Sequence, residues 1–502
     1  MCKVGSRLLD MPRKKQWLAI LVIMFFGVVA MGGGCGWAAT RVARQIFNFQ
    51  FSIFNREYKT FRWCTNGLPF VDRLEQLLGG KYIILLQNNT ELRPSGGFAG
   101  SYATIETDKK GIKQIRVQDI YEPDGKLPGH VDPPYPIQEA FGQGWWKLRD
   151  ANWDPDYASA AGAMRWFLEQ GGEGNIQGII AVNLGLVNRL MGIYGPLELE
   201  TYDELITEAN FYGLAQKYAE TRKIDNSTDK RGFLGAVGVA IEERIKASKL
   251  IDLIDLSALI FRELRKGEIL VWVRNPEVQK EIEFRKWGGR LTANWDPSAG
   301  SGRADYLYIV ESNLGANKAN CCIDRDVSVS VSPPSPKASE GQVTRHEIIV
   351  TWKNNNEFEN PKPPVFWGGD YIDYVRVIVP KDKKIVSVSV SGKQLRLATE
   401  QDFIQSNALR QGRSENIYVV EERGDPSASS GRGLKIIGFW AVVPAQQQVV
   451  AELEYKSERV EEFKTLLFKH QPGSGVTNYQ VLVDGVIKVV GQLDRDKEIV
   501  IE

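Results

Sequence analysis

From residue 81 onward the apolar positions change their period several times, and each change predicts an element. The run KYIILLQ is apolar with little interruption and reads as a buried strand, while SYATIET and IKQIRVQDI read as two further strands joined by the turn DKKG. The polar stretch YEPDGKLPGHVDPPYP reads as a long loop. NWDPDYASAAGAMRWFLEQGG predicts a helix, with Asp154 as N-cap, Pro155 in the first helical position, and Gly171 and Gly172 as the stop. IQGIIAVN predicts a strand, and LGLVNRLMG a short helix with Leu186, Val187, Leu190 and Met191 on one face. GPLELE follows as a strand, and TYDELI opens with the capping-box spacing Thr201 to Glu204. FLGAVGVAIEERI and LIDLSALIFRELRKG are amphipathic helices, then EILVWV and ADYLYIV are strands. This order predicts an α/β/α sandwich on a mixed sheet.

After residue 322 the helical period disappears. DVSVSVS precedes the Pro/Ser-rich PPSPKASEG, and alternating runs then recur at HEIIVTWK, YIDYVRVIVP, KIVSVSVSG, NIYVVEE, LKIIGFWAVV, QVVAELEY, YQVLVDG and EIVIE. Short alternating strands at this spacing predict an all-β sandwich. DPSAGSGR at 296–303 and DPSASSGR at 425–432 are near copies and read as exposed polar insertions.

Ahead of these domains, residues 17–39 carry no charge and match the roughly 20 apolar residues that a bilayer-spanning helix needs. Lys3, Arg7, Arg13, Lys14 and Lys15 precede the run, against Arg41 and Arg44 after it. The positive-inside bias puts the N-terminus in the cytoplasm and the bulk of the chain outside. A cleaved signal peptide is the alternative, and Cys35 after three glycines gives a loose match to a lipidation site. The expected organisation is a basic cytoplasmic tail at 1–16, a single transmembrane helix at 17–39, a juxtamembrane stalk at 40–74, an α/β domain at 75–322 and a β-sandwich at 323–502.

Length and charge narrow the function. A chain of 502 residues exceeds one ordinary core, so two or three folded units are expected. With 63 basic and 62 acidic residues the net charge is +1, which supplies no field for nucleic acid. The five cysteines imply no disulfide framework, with at most Cys64 bonded to Cys321 or Cys322. His130, His346 and His470 stand at no metal-ligand spacing.

Three polar stretches could carry chemistry. NNTELRPSGGFAGSY, residues 88–102, leaves the first strand with glycines that let backbone N–H groups approach an anion and with Arg93 as a planar donor fork. Against this, Asn88 and Asn89 can cap a turn while Arg93 pairs with Glu91. Asp119, Glu122 and Asp124, then Asp150, Asp154 and Asp156, place carboxylates near strand ends, which suits a hard cation such as Mg²⁺. YAETRKIDNSTDKRGFL puts Arg222 and Arg231 ahead of an amphipathic helix.

Taken together, YIILLQNNTELRPSGGFAGSYA, DANWDPDY, QGIIAVN, YGPLEL, YLYIVESNLGANKAN and KHQPGSG resemble the bacterial, membrane-anchored domain-of-unknown-function family 4012. More distantly the α/β part resembles the LytR-CpsA-Psr fold, whose members transfer glycan polymers from a polyprenyl-pyrophosphate carrier to the cell wall. That resemblance implies phosphate ligands at Arg93, Arg222 and Arg231, with Arg116 as a further candidate. It implies Mg²⁺ at Asp119 and Asp124, and catalytic roles for Asp119 and Arg93. Phosphoryl transfer needs mainly charge neutralisation and positioning, which such a set supplies. Two positions depart from the pattern: Gln118 replaces the arginine before the strand-end aspartate, and Asn88 or Asn89 stands in place of an early acid. Arg116 lies three residues from Asp119 and so faces the other side of its strand.

The sequence therefore gives two expectations for a membrane-anchored extracytoplasmic envelope protein. One is an Mg²⁺-dependent phosphotransferase acting on a lipid-linked glycan or cell-wall polymer. The other is a non-catalytic module for glycan or lipid binding, adhesion or surface assembly. The sequence sets no oligomeric state.

Overall fold

A computed structural model describes residues 79–108, 111–142, 144–220, 230–247, 250–291, 305–332, 344–357, 368–398, 417–422, 433–457 and 465–501. The expected basic tail, transmembrane helix and stalk, together with Cys64, Arg222, PPSPKASEG and both near-copy insertions, lie outside these residues. No helix among the described residues is long and apolar enough to cross a membrane. The described chain is a mixed α/β structure with several sheets, divided into two compact units.

The first unit takes the chain to Gln87, then Ala99–Leu127 and Arg165–Gly288. Its five-stranded sheet runs in the order Gly111–Asp119, Phe98–Asp108, Lys81–Asn88, Ile176–Asn183, Ile269–Val273. The central pair is parallel, with Ile83 opposite Ile179 and Leu85 opposite Ala181. The strands at both edges pair antiparallel with their neighbours. Near-continuous apolar sequence is what a strand covered on both faces requires, and the burial follows. Ile83, Leu85 and Ile179 are fully buried on one face. On the other, Tyr82, Ile180 and Val182 pack against Leu190, Leu256, Leu259, Val278 and Ile282. Those side chains come from the helices Gly185–Tyr194, Leu250–Lys266 and Pro276–Phe284.

The second unit holds Asn88–Phe98, Pro128–Met164 and everything from Gly289. It contains two seven-stranded sheets whose inner faces share one apolar core. From one sheet come Val327, Val329, Ile348, Val350 and Trp352, and from the other Val375, Val377, Ile437 and Phe439. Alternation along each strand aims these residues inward, and each contributes roughly 1.5–3 kcal/mol on full burial. The strand Asp305–Val310 belongs to this sandwich, antiparallel to Tyr371–Pro380 and parallel to Thr465–Lys469. The expected boundary at 322/323 thus falls inside the second unit.

Three local expectations are revised. The helix after NWDPD spans Tyr157–Gln170, and it is Asp156 whose Oδ1 accepts from the Ser159 N–H, at 3.1 Å. Asp154 Oδ1 instead accepts from the Asp156 N–H and closes the preceding turn. TYDELI does not continue as a helix: a 3₁₀ turn at Glu200–Tyr202 ends at Asp203, with φ +51°, and Glu204–Ile206 pairs back on Leu197–Leu199. The expected long loop contains two short helices, Tyr121–Asp124 and Tyr135–Phe141.

Candidate functional site

Four polar stretches that the apolar periods leave between strands meet within the second unit: 88–98, 150–153, 311–320 and 470–475. Arg93 is at their centre and only 2% exposed. Its Nη1 donates to the Asn313 carbonyl at 2.5 Å and to the Leu92 carbonyl at 3.1 Å. Nη2 donates to Glu91 Oε1 at 3.1 Å and lies 3.8 Å from Asp150 Oδ1. Glu91 Oε2 accepts from Lys318 Nζ at 2.5 Å. Burial alone would raise the Glu91 carboxyl, but the Lys318 and Arg93 charges hold it below the usual carboxylate range.

Backbone is tied in at the same place. The Leu92 N–H donates to Asn320 Oδ1, and the Asn320 N–H donates to the Thr90 carbonyl. Asn152 Nδ2 donates to Ser95 Oγ and to the Gly97 carbonyl. Gln471 Nε2 donates to the carbonyls of Arg93 and Glu311, while its Oε1 accepts from the Glu311 N–H.

A second ion pair lies beyond Gln471. Arg325 Nε contacts both oxygens of Glu311, at 2.7 and 2.9 Å, and Tyr371 Oη donates to Glu311 Oε2 at 2.5 Å. The Arg325 charge keeps the Glu311 carboxyl low despite its burial. Asp373, whose Oδ1 accepts from the Ser312 N–H, is pushed well above the ordinary range by burial and by the Glu311 charge.

His470 and Ser474 complete this region without forming a hydrolytic dyad. His470 Nε2 is 2.8 Å from the Gly475 carbonyl and 3.3 Å from Ser474 Oγ. A carbonyl can only accept, so Nε2 carries the hydrogen and cannot take a proton from the serine. The Ser474 hydroxyl donates to the Gln471 carbonyl instead. A base oriented by a carboxylate is what the nucleophilic arrangement requires, and no group among the described residues bonds His470 Nδ1.

The sequence-expected residues are placed as follows. Arg93 belongs to the sandwich unit, whereas Arg116, Asp119 and Asp124 belong to the α/β unit. Arg116 is largely exposed and pairs with Glu106 at 3.1 Å. Asp119 is buried, and its Oδ1 accepts from the Tyr121 N–H. Asp124 is buried at the end of the short helix that follows. Among the described residues no group of three or more His, Cys, Asp or Glu gathers, so an Mg²⁺ site would rest on Asp119 and Asp124 alone. Arg222 and the side chain of Arg231 lie outside the described residues.

Glu311, Arg325 and Gln471 are the residues that reading the sequence passed over. One signal was present. In IDRDVSVSVS the inward positions are Ile323, Arg325, Val327, Val329 and Val331, and an arginine on the apolar side of a strand demands a buried partner.

Residues 80–218 match a family model described as a protein of unknown function, DUF4012, which supports the family resemblance over that stretch. No curated protein matches the chain. Among solved structures, a substrate-bound mutant of the M1 zinc metallopeptidase from Deinococcus radiodurans has a TM-score of 0.15 and 8% identity. The same peptidase without the mutation has a TM-score of 0.13 and 7% identity. In both cases the match spans 32% of this chain and 32% of the peptidase. Likeness of this size carries no inference of fold or activity.

Proposed function

We propose that the protein is a membrane-anchored, extracytoplasmic envelope component that binds a glycan or lipid-linked partner without transferring it. The anchor rests on the uncharged run at 17–39 and the basic residues before it. The non-catalytic assignment rests on Arg93. In glycopolymer transferases of the LytR-CpsA-Psr fold the matching arginine holds the carrier pyrophosphate. Here the terminal nitrogens of Arg93 are spent on Glu91 and on the carbonyls of Leu92 and Asn313. Turning it toward a phosphate would take one cation from each of two buried acids, leaving Glu91 with Lys318 and Asp150 with Arg149, and breaking a buried pair in this way is unfavourable. Arg116, exposed and turned away from Asp119 by strand alternation, does not replace it.

The test is to incubate the full-length protein in nanodiscs with Mg²⁺ and a polyprenyl-pyrophosphate-linked glycan analogue. Carrier phosphate is expected to stay at background while the glycan-bearing analogue is retained on the protein. Sustained phosphate release that Asp119→Asn abolishes without lowering the melting temperature would overturn the reading.

A further inference from the structure

A small cavity in the sandwich unit is walled by Glu311, Arg325, His470, Gln471 and Ser474 on its polar side and by residues such as Val350 on its apolar side. Most of the polar valences here are already met. Glu311 spends both oxygens on Arg325 and Tyr371, Gln471 is bonded at both ends of its amide, and Ser474 donates to the Gln471 carbonyl.

Two atoms are not. Arg325, 4% exposed, uses Nε on Glu311 and Nη1 on the carbonyls of Ile323 and Ser474, and no group among the described residues bonds its Nη2. His470, 5% exposed, commits Nε2–H to the Gly475 carbonyl, so that Nδ1 presents a lone pair that no donor among the described residues meets. A buried charged donor and a buried acceptor, each unanswered, therefore belong to residues on the wall of the same cavity. Native interiors avoid leaving either kind of atom unbonded, because the desolvation of a buried polar group is then uncompensated.

We propose that this cavity is a binding site for a single water molecule, which accepts from Arg325 Nη2 and donates to His470 Nδ1. The size agrees: the cavity is about 20 Å³, against the roughly 10–15 Å³ that one buried water requires. The chemistry also selects against a halide, because an anion satisfies the Arg325 donor but faces the His470 lone pair. The bound water gives the strand Ile323–Ser332 a second link to the 470–475 turn, beside the direct bond from Arg325 Nη1 to the Ser474 carbonyl. It completes the hydrogen bonding of a guanidinium that the core cannot expose.

The experiment is a crystal structure of the full-length protein at a resolution that shows ordered waters, with a parallel crystal soaked in bromide. A spherical peak is expected about 2.7–3.2 Å from both atoms, with no bromide anomalous signal. A bromide peak in the cavity, no density there, or a peak bonded to neither atom would each overturn the assignment. His470→Phe removes the acceptor, and the peak is expected to vanish in that variant. A water held at full occupancy by Arg325 alone would sink the bridging role. If the variant does not fold, the wild-type and bromide maps decide the question by themselves.

Discussion

A Cβ placed on Gly473 would stand 2.1 Å from the carbonyl oxygen of Gly96. The PGSG turn and the PSGG loop thus touch backbone to backbone, and Gly473 also sits at φ +75°. Gly473→Ala is expected to destabilise the sandwich unit by about 2–4 kcal/mol, part from the left-handed backbone and part from overpacking. Gly475 provides the control, since it has φ +77° but no atom of the described residues lies within 4 Å of the place a Cβ would take. Gly475→Ala should cost about 1 kcal/mol, from backbone conformation alone. Denaturant midpoints of the two variants measure the contrast, and equal losses would remove the backbone contact from the explanation.

Arg93→Ala should lower the stability of the sandwich unit by about 3–5 kcal/mol, because Glu91 loses a buried partner while Lys318 alone is left to hold it. Arg93→Lys should recover less than half of that loss. An ammonium cannot reach Glu91 and the Asn313 carbonyl with the geometry of a planar fork. Thermal unfolding of the three proteins side by side gives the order. Full stability in Arg93→Lys would mean that only the charge counts.

The strands and most helices were legible because apolar periodicity is local: LKIIGFWAVV and HEIIVTWK alternate or run apolar whatever they pack against. The allocation of segments to units was not, because it depends on pairings between distant stretches. ADYLYIV follows helices in sequence but is hydrogen-bonded between Tyr371–Pro380 and Thr465–Lys469. Arg93 shows the same limit at the site. Its fork was visible in the sequence, and so was Glu91 as a partner. The Asn313 carbonyl, Lys318 and Gln471, which fix its role, come from more than 200 positions away. The Asp154 cap failed for a different reason, since two aspartates two residues apart offer the same chemistry and only Asp156 reaches the Ser159 N–H.

Asp373→Asn tests the polar core from the acid side. Burial raises the Asp373 carboxyl well above its ordinary value, so the folded protein keeps a proton that the unfolded chain releases above about pH 4. The stability associated with that group is present below the unfolded pKa and is lost as pH rises. Asparagine does not titrate and retains an oxygen to accept from the Ser312 N–H. The variant is therefore expected to gain on the wild type between pH 4 and pH 7, by up to about 1.4 kcal/mol per pH unit. Denaturation curves across that range check it, and a gap independent of pH would show that Asp373 ionises in the fold as it does outside it.

His346 gives the opposite slope. It is buried and stacked on Tyr455, with ring centroids 4.7 Å apart, and Asp305 Oδ2 lies 3.2 Å from its Nδ1. Burial, then the Lys383 ammonium, outweigh that carboxylate and lower the imidazole to about 3. The unfolded chain takes up a proton near pH 6.5 and the folded one does not. The contribution is thus fully present above pH 6.5 and is lost as pH falls toward 3. His346→Gln should cost about 1 kcal/mol at pH 7.5 through the lost ring stacking. It should also lose less stability than the wild type between pH 6.5 and 4, so that the two melting curves converge in acid. Imidazole carbon shifts in the folded wild type should stay those of a neutral ring at pH 5, and a ring that titrates near pH 6.5 in the native state would contradict the burial argument directly.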